Sequence, residues 1–221
     1  MTPGTTLGDA TLDELRAALA PRIAADAAFD GWGDRARDAA ADAMGVDRDV
    51  ARLALPDAVD MIDGWFADID RRMVDALPPE RLVAMKVRER IAALVEARLD
   101  ALAPERESLR RALSVLAMPG NVSRAARLGW RTVDLVWRRA GDTATDYNHY
   151  TKRAILLGVY AATVSVFVND ASDGFADTRA FLARRIDGIL AFEKFKAGVA
   201  GRALYRPSLS RFVGRLRYPV K

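Results

Sequence analysis

The chain has no cysteine, which removes disulfides, thiolate nucleophiles and cysteine-bound metal from its chemistry. Histidine occurs once, at His149, so a zinc or di-iron centre would have to be built almost wholly from carboxylates, and the Glu-x-x-His pairs of di-iron bundles are absent. Asp146 and His149 stand three apart on one helical face, half of a metal site whose second half nothing supplies. Gly-x-Gly-x-x-Gly, P-loop and Gly-x-Ser-x-Gly motifs are missing as well. With no catalytic set and no metal set assembled, the expectation is a protein that is not an enzyme and needs no cofactor. Long apolar runs are also lacking. The uncharged stretch Ala154–Val168 holds fifteen residues, short of the roughly 20 that a membrane-spanning helix needs. The opening MTPGTTLGDATLDELR has no basic start, apolar middle or Arg-rich bias, and reads as neither a secretory nor a transit peptide. The abundance of Ala, Arg and Asp favours a bacterial cytoplasmic protein.

What the chain does have is a division of charge. A net charge of +4 over 221 residues conceals twelve aspartates against four arginines between Asp26 and Asp70, and ten basic residues against two acids between Arg184 and Lys221. The two ends therefore suit different partners.

Apolar periodicity predicts an all-α fold of about nine or ten helices. Leu12, Leu15, Leu19 and Ile23 mark a first helix capped by Thr11, followed by a turn at Gly31 and Gly33. Helices over about Asp34–Met44 and Asp47–Leu55 complete a helix-turn-helix outline within residues 1–55. A ligand-binding and dimerisation domain over 56–195 follows, then a basic tail over 196–221. In the larger domain, helices are expected over Pro56–Leu77, about Glu80–Leu102, Pro104–Ala117, Val122–Arg139 with Asn121 as cap, a central helix opened by Thr145 and running through Val168, and about Asp177–Phe195. The central helix is expected to be buried on nearly all sides. Arg98, with the other charges of its helix, is expected to face outward.

The helix-turn-helix outline raises the possibility of a DNA-binding repressor, and charge argues against it. Asp38, Asp42, Asp47, Asp49, Asp57, Asp60 and Asp63 occupy a segment in which phosphate contact needs Lys and Arg. No nucleic acid partner is expected.

The run AGDTATDYNHYTKR, Ala140–Arg153, together with AAFDGWG at Ala27–Gly33, KVRERI at Lys86–Ile91 and RTVDLVWRRAGD at Arg131–Asp142, resembles the coenzyme Q (ubiquinone) biosynthesis accessory lipid-binding family. The resemblance covers roughly residues 20–195. It implies a TetR-like all-helical fold, usually dimeric, which binds isoprenoid lipid and assists a di-iron demethoxyubiquinone hydroxylase. Matched position by position, it implies a partner-binding surface at Asp146, Asn148, His149 and Tyr150, with Val136 nearby. His149 departs from the tryptophan common in the family, so a large apolar anchor is replaced by a smaller and partly polar one.

Within that frame, the candidate lining for an isoprenoid is Trp65, Phe66, Trp130, Val133, Trp137, Leu156, Tyr160 and Phe167, although any aromatic-rich core has the same inventory. Leu209, Arg211, Phe212, Val213, Arg215 and Leu216 form an apolar edge with basic flanks, suited to an anionic membrane surface. The combined expectation is a non-catalytic, dimeric, peripheral membrane protein that carries an isoprenoid or quinone lipid to a hydroxylase. The alternative is a TetR-type ligand-responsive repressor.

Overall fold

A computed structural model describes residues 10–142 and 147–188. Among these residues every regular element is a helix or a 3₁₀ turn. The helices are α1 (Leu12–Asp30), α2 (Asp34–Met44), α3 (Arg48–Ala54), α4 (Ala58–Ala76), α5 (Pro79–Val83), α6 (Val87–Leu102), α7 (Arg106–Leu116), α8 (Val122–Arg139), α9 (Tyr147–Phe167) and α10, described over 176–188. The chain forms two compact units, Met1–Leu182 and Ala183–Lys221.

Helix ends follow local chemistry. Thr11 accepts from the Glu14 N–H while Glu14 accepts from the Thr11 N–H, a reciprocal capping box that starts α1. Gly45 ends α2 in the left-handed region, at φ 66°, where a side chain would be strained. The single helix expected over Glu80–Leu102 is in fact two. The chain breaks at Ala84–Lys86, and a new helix starts where Glu89 accepts from the Lys86 N–H. Arg90 braces the break by donating to the carbonyls of Met85 and Val83. Asn121 does not cap α8 with its side chain, because its amide donates to the Val115 carbonyl instead.

α1 runs through the middle of the first unit, packed against α2, α3, α4 and α7. Trp32, Trp65 and Phe66 form a row of mutually tilted rings with neighbouring centroids 5.2 and 5.3 Å apart. Each indole donates to a polar group, Trp32 Nε1 to the buried Ser108 carbonyl at 2.9 Å and Trp65 Nε1 to the half-buried Glu105 at 2.5 Å.

The aspartate surplus near the N-terminus is matched by arginines from elsewhere in the chain. Asp57 and Asp60 hold Arg124, Asp63 holds Arg16 and Arg131, and Asp70 holds Arg98. Asp42 and Asp49 hold Arg48 and Arg52, and Asp47 caps α3. The expected repelling face is thus largely a set of neutralised pairs. On α3, both arginines that could meet a phosphate are already held by carboxylates.

Two further expectations are corrected. Arg98 is 1% exposed, inside the bundle formed by α4, α6, α8 and α9. The central helix is buried on one side only. Leu156, Thr163, Val164 and Phe167 face the core, while Ala154, Gly158, Ala161 and Ser165 are exposed. Its lack of charge therefore marks an open uncharged face as well as a core face.

Candidate functional site on α8 and α9

α8 is amphipathic, with Leu128, Thr132, Val133, Val136 and Trp137 buried. It lies against α9 closely enough that a Cβ on Gly129 would stand 2.6 Å from Leu157 Cδ1. α8 ends at Arg139, Gly141 with a φ of 94° turns the chain after it, and the Ala140 carbonyl accepts from Arg90. Asp142 follows and receives two cations from α9, Lys152 Nζ at 3.0 Å and Arg153 Nη1 at 3.0 Å. Burial pushes the Asp142 carboxyl up, but hydrogen bonds from Lys152 and Arg153 outweigh it and hold the group below the usual carboxylate range. Arg153 also donates to Asp134 on α8 at 2.6 Å and to the His149 carbonyl at 3.1 Å. Trp137 Nε1 donates to the Lys152 carbonyl, and the Lys152 ammonium lies 5.4 Å from the Trp137 ring centre.

Near this ionic cluster is an aromatic edge. Trp130 stacks with Tyr150 at 6.3 Å, and the His149 ring meets Tyr150 edge-on at 5.1 Å. Tyr150 is 62% exposed, His149 and Trp130 are half-buried, and Val136 on α8 is buried. Of the predicted partner-binding residues, His149 and Tyr150 are therefore brought together at the surface, with Val136 inside. Asp146, the Asn148 side chain and the proposed cap Thr145 lie outside the described residues.

The predicted lipid-lining residues are spread through the core. Trp65, Leu156 and Phe167 are sealed, as are Val133, Trp137 and Phe66 within a few per cent of exposure. Phe66 and Tyr160 sandwich the Arg98 guanidinium, at 5.0 and 5.2 Å from the two ring centres. Arg98 donates to Asp70 at 2.8 Å and to the Tyr160 hydroxyl, and Thr132 reaches Asp70 at 3.4 Å. Burial raises the Tyr160 phenol. Trp130 and Tyr160 are the two of the eight that remain half-open. A groove of about 570 Å³ between α1 and α4 is lined by charged and small residues, another of about 430 Å³ between α4 and α8 by mostly charged residues with Val74 and Leu135, and neither by any of the eight.

The far end of α9 is closed by Asp170. Its carboxylate accepts from the Ser172 N–H and hydroxyl and from the Thr178 N–H and hydroxyl, and the Ser172 and Thr178 bonds hold it well below the usual carboxylate range. The six predicted membrane-binding residues, Leu209, Arg211, Phe212, Val213, Arg215 and Leu216, lie outside the described residues. Among the described residues no helix is long and apolar enough to cross a membrane.

The sequence pattern alone could have placed Arg98. Ile91, Leu94, Val95 and Leu102 surround it at helical spacing, so period outweighs residue type. The Asp134–Arg153–Asp142 cluster carries no comparable local signal, because its members meet across a turn between two helices.

Comparison with known proteins agrees with this geometry. Residues 122–193, which include α8, α9 and their ionic cluster, match the family model described as COQ9. The ubiquinone biosynthesis protein COQ9, mitochondrial, of Rattus norvegicus is 34% identical over 164 residues, covering 71% of this chain and 53% of that protein. The protein of the same name from Homo sapiens is 33% identical over 164 residues, covering 71% and 52%. That from Xenopus tropicalis reaches 42% over 92 residues, covering 42% of this chain and 29% of that protein. The chain thus spans about half the length of the two mammalian relatives. In structure it is similar to the TetR transcriptional regulator from Nitrosomonas europaea, with a TM-score of 0.63, 25% identity, and coverage of 79% of this chain and 97% of that one. The chain is therefore a relative of the COQ9 family, carried on a TetR-like all-helical fold.

Proposed function

We propose that this chain is a non-catalytic accessory protein of ubiquinone biosynthesis that binds isoprenoid quinone precursors at a membrane and presents them to a demethoxyubiquinone hydroxylase. One observation carries the reading. The stretch matched to the COQ9 model contains an open, uncharged helix face, Ala154, Gly158, Ala161 and Ser165, leading up to an aromatic edge of exposed Tyr150 with half-buried Trp130 and His149. Apolar surface left open on a soluble helix marks a site of association. The edge is the proposed hydroxylase contact, with Asp146 and Asn148 beside it in sequence. Trp130 and Tyr160, the two half-open residues of the predicted lining, are the proposed lipid contacts. The open face of α9 is the proposed seat of a second copy, making a homodimer. The basic C-terminal residues supply the proposed contact with anionic headgroups.

The relatives' names place those proteins in ubiquinone biosynthesis, which supports the assignment. The TetR-like fold favours a repressor as the second reading, but the engagement of Arg48 and Arg52 by Asp42 and Asp49 leaves α3 poorly equipped for phosphate.

A reconstituted assay tests the proposal. In anionic vesicles holding a long-chain demethoxyubiquinone, adding the full chain is expected to raise the turnover of a purified hydroxylase, and a chain truncated after Gly201 is expected to lose most of that gain. Unchanged turnover with the full chain would contradict the reading, and salt-sensitive affinity for duplex DNA in a gel shift would favour the repressor.

A further inference from the structure

We infer that Arg153, acting with Asp134, Asp142 and Lys152, is a positioning residue that sets the angle at which the Trp130, His149 and Tyr150 edge meets its partner. The inference rests on the reading of that edge as a hydroxylase contact.

Arg153 is 1% exposed and holds three different parts of the fold at once: Asp134 within α8, Asp142 beyond the end of α8, and the His149 carbonyl in the first turns of α9. Lys152 adds a second bond to Asp142 and rests over Trp137, whose own N–H is tied to the Lys152 carbonyl. Arg138 joins them on the remaining oxygen of Asp134 at 2.6 Å, so three cations meet two carboxylates. Turning α9 by one residue would swing its side chains by about 100° and slide them about 1.5 Å. That movement would separate Tyr150 from Trp130 and break two buried charged contacts.

Cohesion alone does not call for this arrangement. Well-packed apolar side chains hold two helices as firmly as a buried ion pair, whereas a directional ionic cluster favours one register over its neighbours. Asp134 stands one turn along α8 from Trp130, and Arg153 one turn along α9 from His149 and Tyr150. The main-chain carbonyl it grips is that of His149, an edge residue.

The test uses the full chain with its tyrosines labelled for NMR. Arg153→Met, similar in length and without charge, is expected to keep a helical spectrum and cooperative melting. Its Tyr150 ring resonances should move towards those of a Trp130→Ala chain, and its affinity for a purified demethoxyubiquinone hydroxylase should fall at least about tenfold. Arg153→Lys, which keeps the charge and fewer bonds, should lie between. If Arg153→Met does not fold, Asp142→Asn carries the same test with almost no change in volume. Tyr150 resonances and affinity that stay as in the unaltered chain overturn the inference. A Tyr150→Ala control separates the two levels: if it binds as tightly as the unaltered chain, the reading of the edge has failed, and the ring resonances alone still decide whether the cluster positions it.

Discussion

Replacing Arg98 with alanine is expected to lower the free energy of unfolding by about 3–5 kcal/mol, the cost of breaking a buried ion pair by removing one partner. Asp70 is 5% exposed, and Arg98 donates to it at 2.8 Å. Without the guanidinium, Asp70 keeps only a long contact from Thr132 at 3.4 Å and a distant Arg131 at 3.9 Å. The Phe66 and Tyr160 rings would also face a void where the guanidinium had been stacked. A double variant, Arg98→Met with Asp70→Asn, leaves no buried charge and should recover most of the loss. Urea unfolding of the three chains checks this. A loss below about 1 kcal/mol for Arg98→Ala would show that water or another cation compensates Asp70, and that the pair is not the polar centre of the bundle.

Gly158→Trp is expected to raise the dissociation constant of the proposed dimer at least about 100-fold, equivalent to roughly 2.7 kcal/mol. A Cβ on Gly158 meets nothing within 4 Å, so the isolated chain has room for an indole there. Tryptophan also has a somewhat better helix propensity than glycine, by a few tenths of a kcal/mol. The substitution therefore acts on whatever covers the exposed line of Ala154, Gly158, Ala161 and Ser165, and hardly on the fold. Sedimentation over a range of concentrations should find the unaltered chain dimeric and the variant monomeric, with the same helical signal. A variant that associates as tightly as the unaltered chain would remove α9 as the dimer seat.

These two positions also mark how far the sequence could be read. Helix class followed from apolar period, α1 and α2 lie where their caps and stripes put them, and α8 lies where its stripe does, without the expected Asn121 side-chain cap. The long uncharged run at α9 was legible as a helix, but not as one with an open side, because a sequence does not distinguish a face buried in its own chain from one left for a second molecule. Arg98 shows the opposite failure: its stripe position was visible, and its charge was allowed to decide. The break between α5 and α6 was hidden because Arg90, which braces it, looks like an ordinary surface arginine. The aspartate surplus was counted correctly along the chain, but Arg16, Arg98, Arg124 and Arg131, which offset much of it, lie outside the counted segment. For the candidate site, the motif around Arg153 was visible, yet its ionic cluster depends on an encounter between two helices. Of the eight residues read as a greasy lining, six are buried in the core, and a guanidinium lies near two of the rings.

The central claim is that this chain carries an isoprenoid quinone precursor. Native mass spectrometry of the full-length protein, purified without added lipid and paired with solvent extraction of the same sample, tests it most directly. The account predicts a bound species whose extracted mass is that of a polyprenylated quinone or its precursor, reduced in a Trp130→Ala, Tyr160→Ala chain. A chain that remains free of lipid, and stays so after incubation with a long-chain demethoxyubiquinone in vesicles, would contradict it.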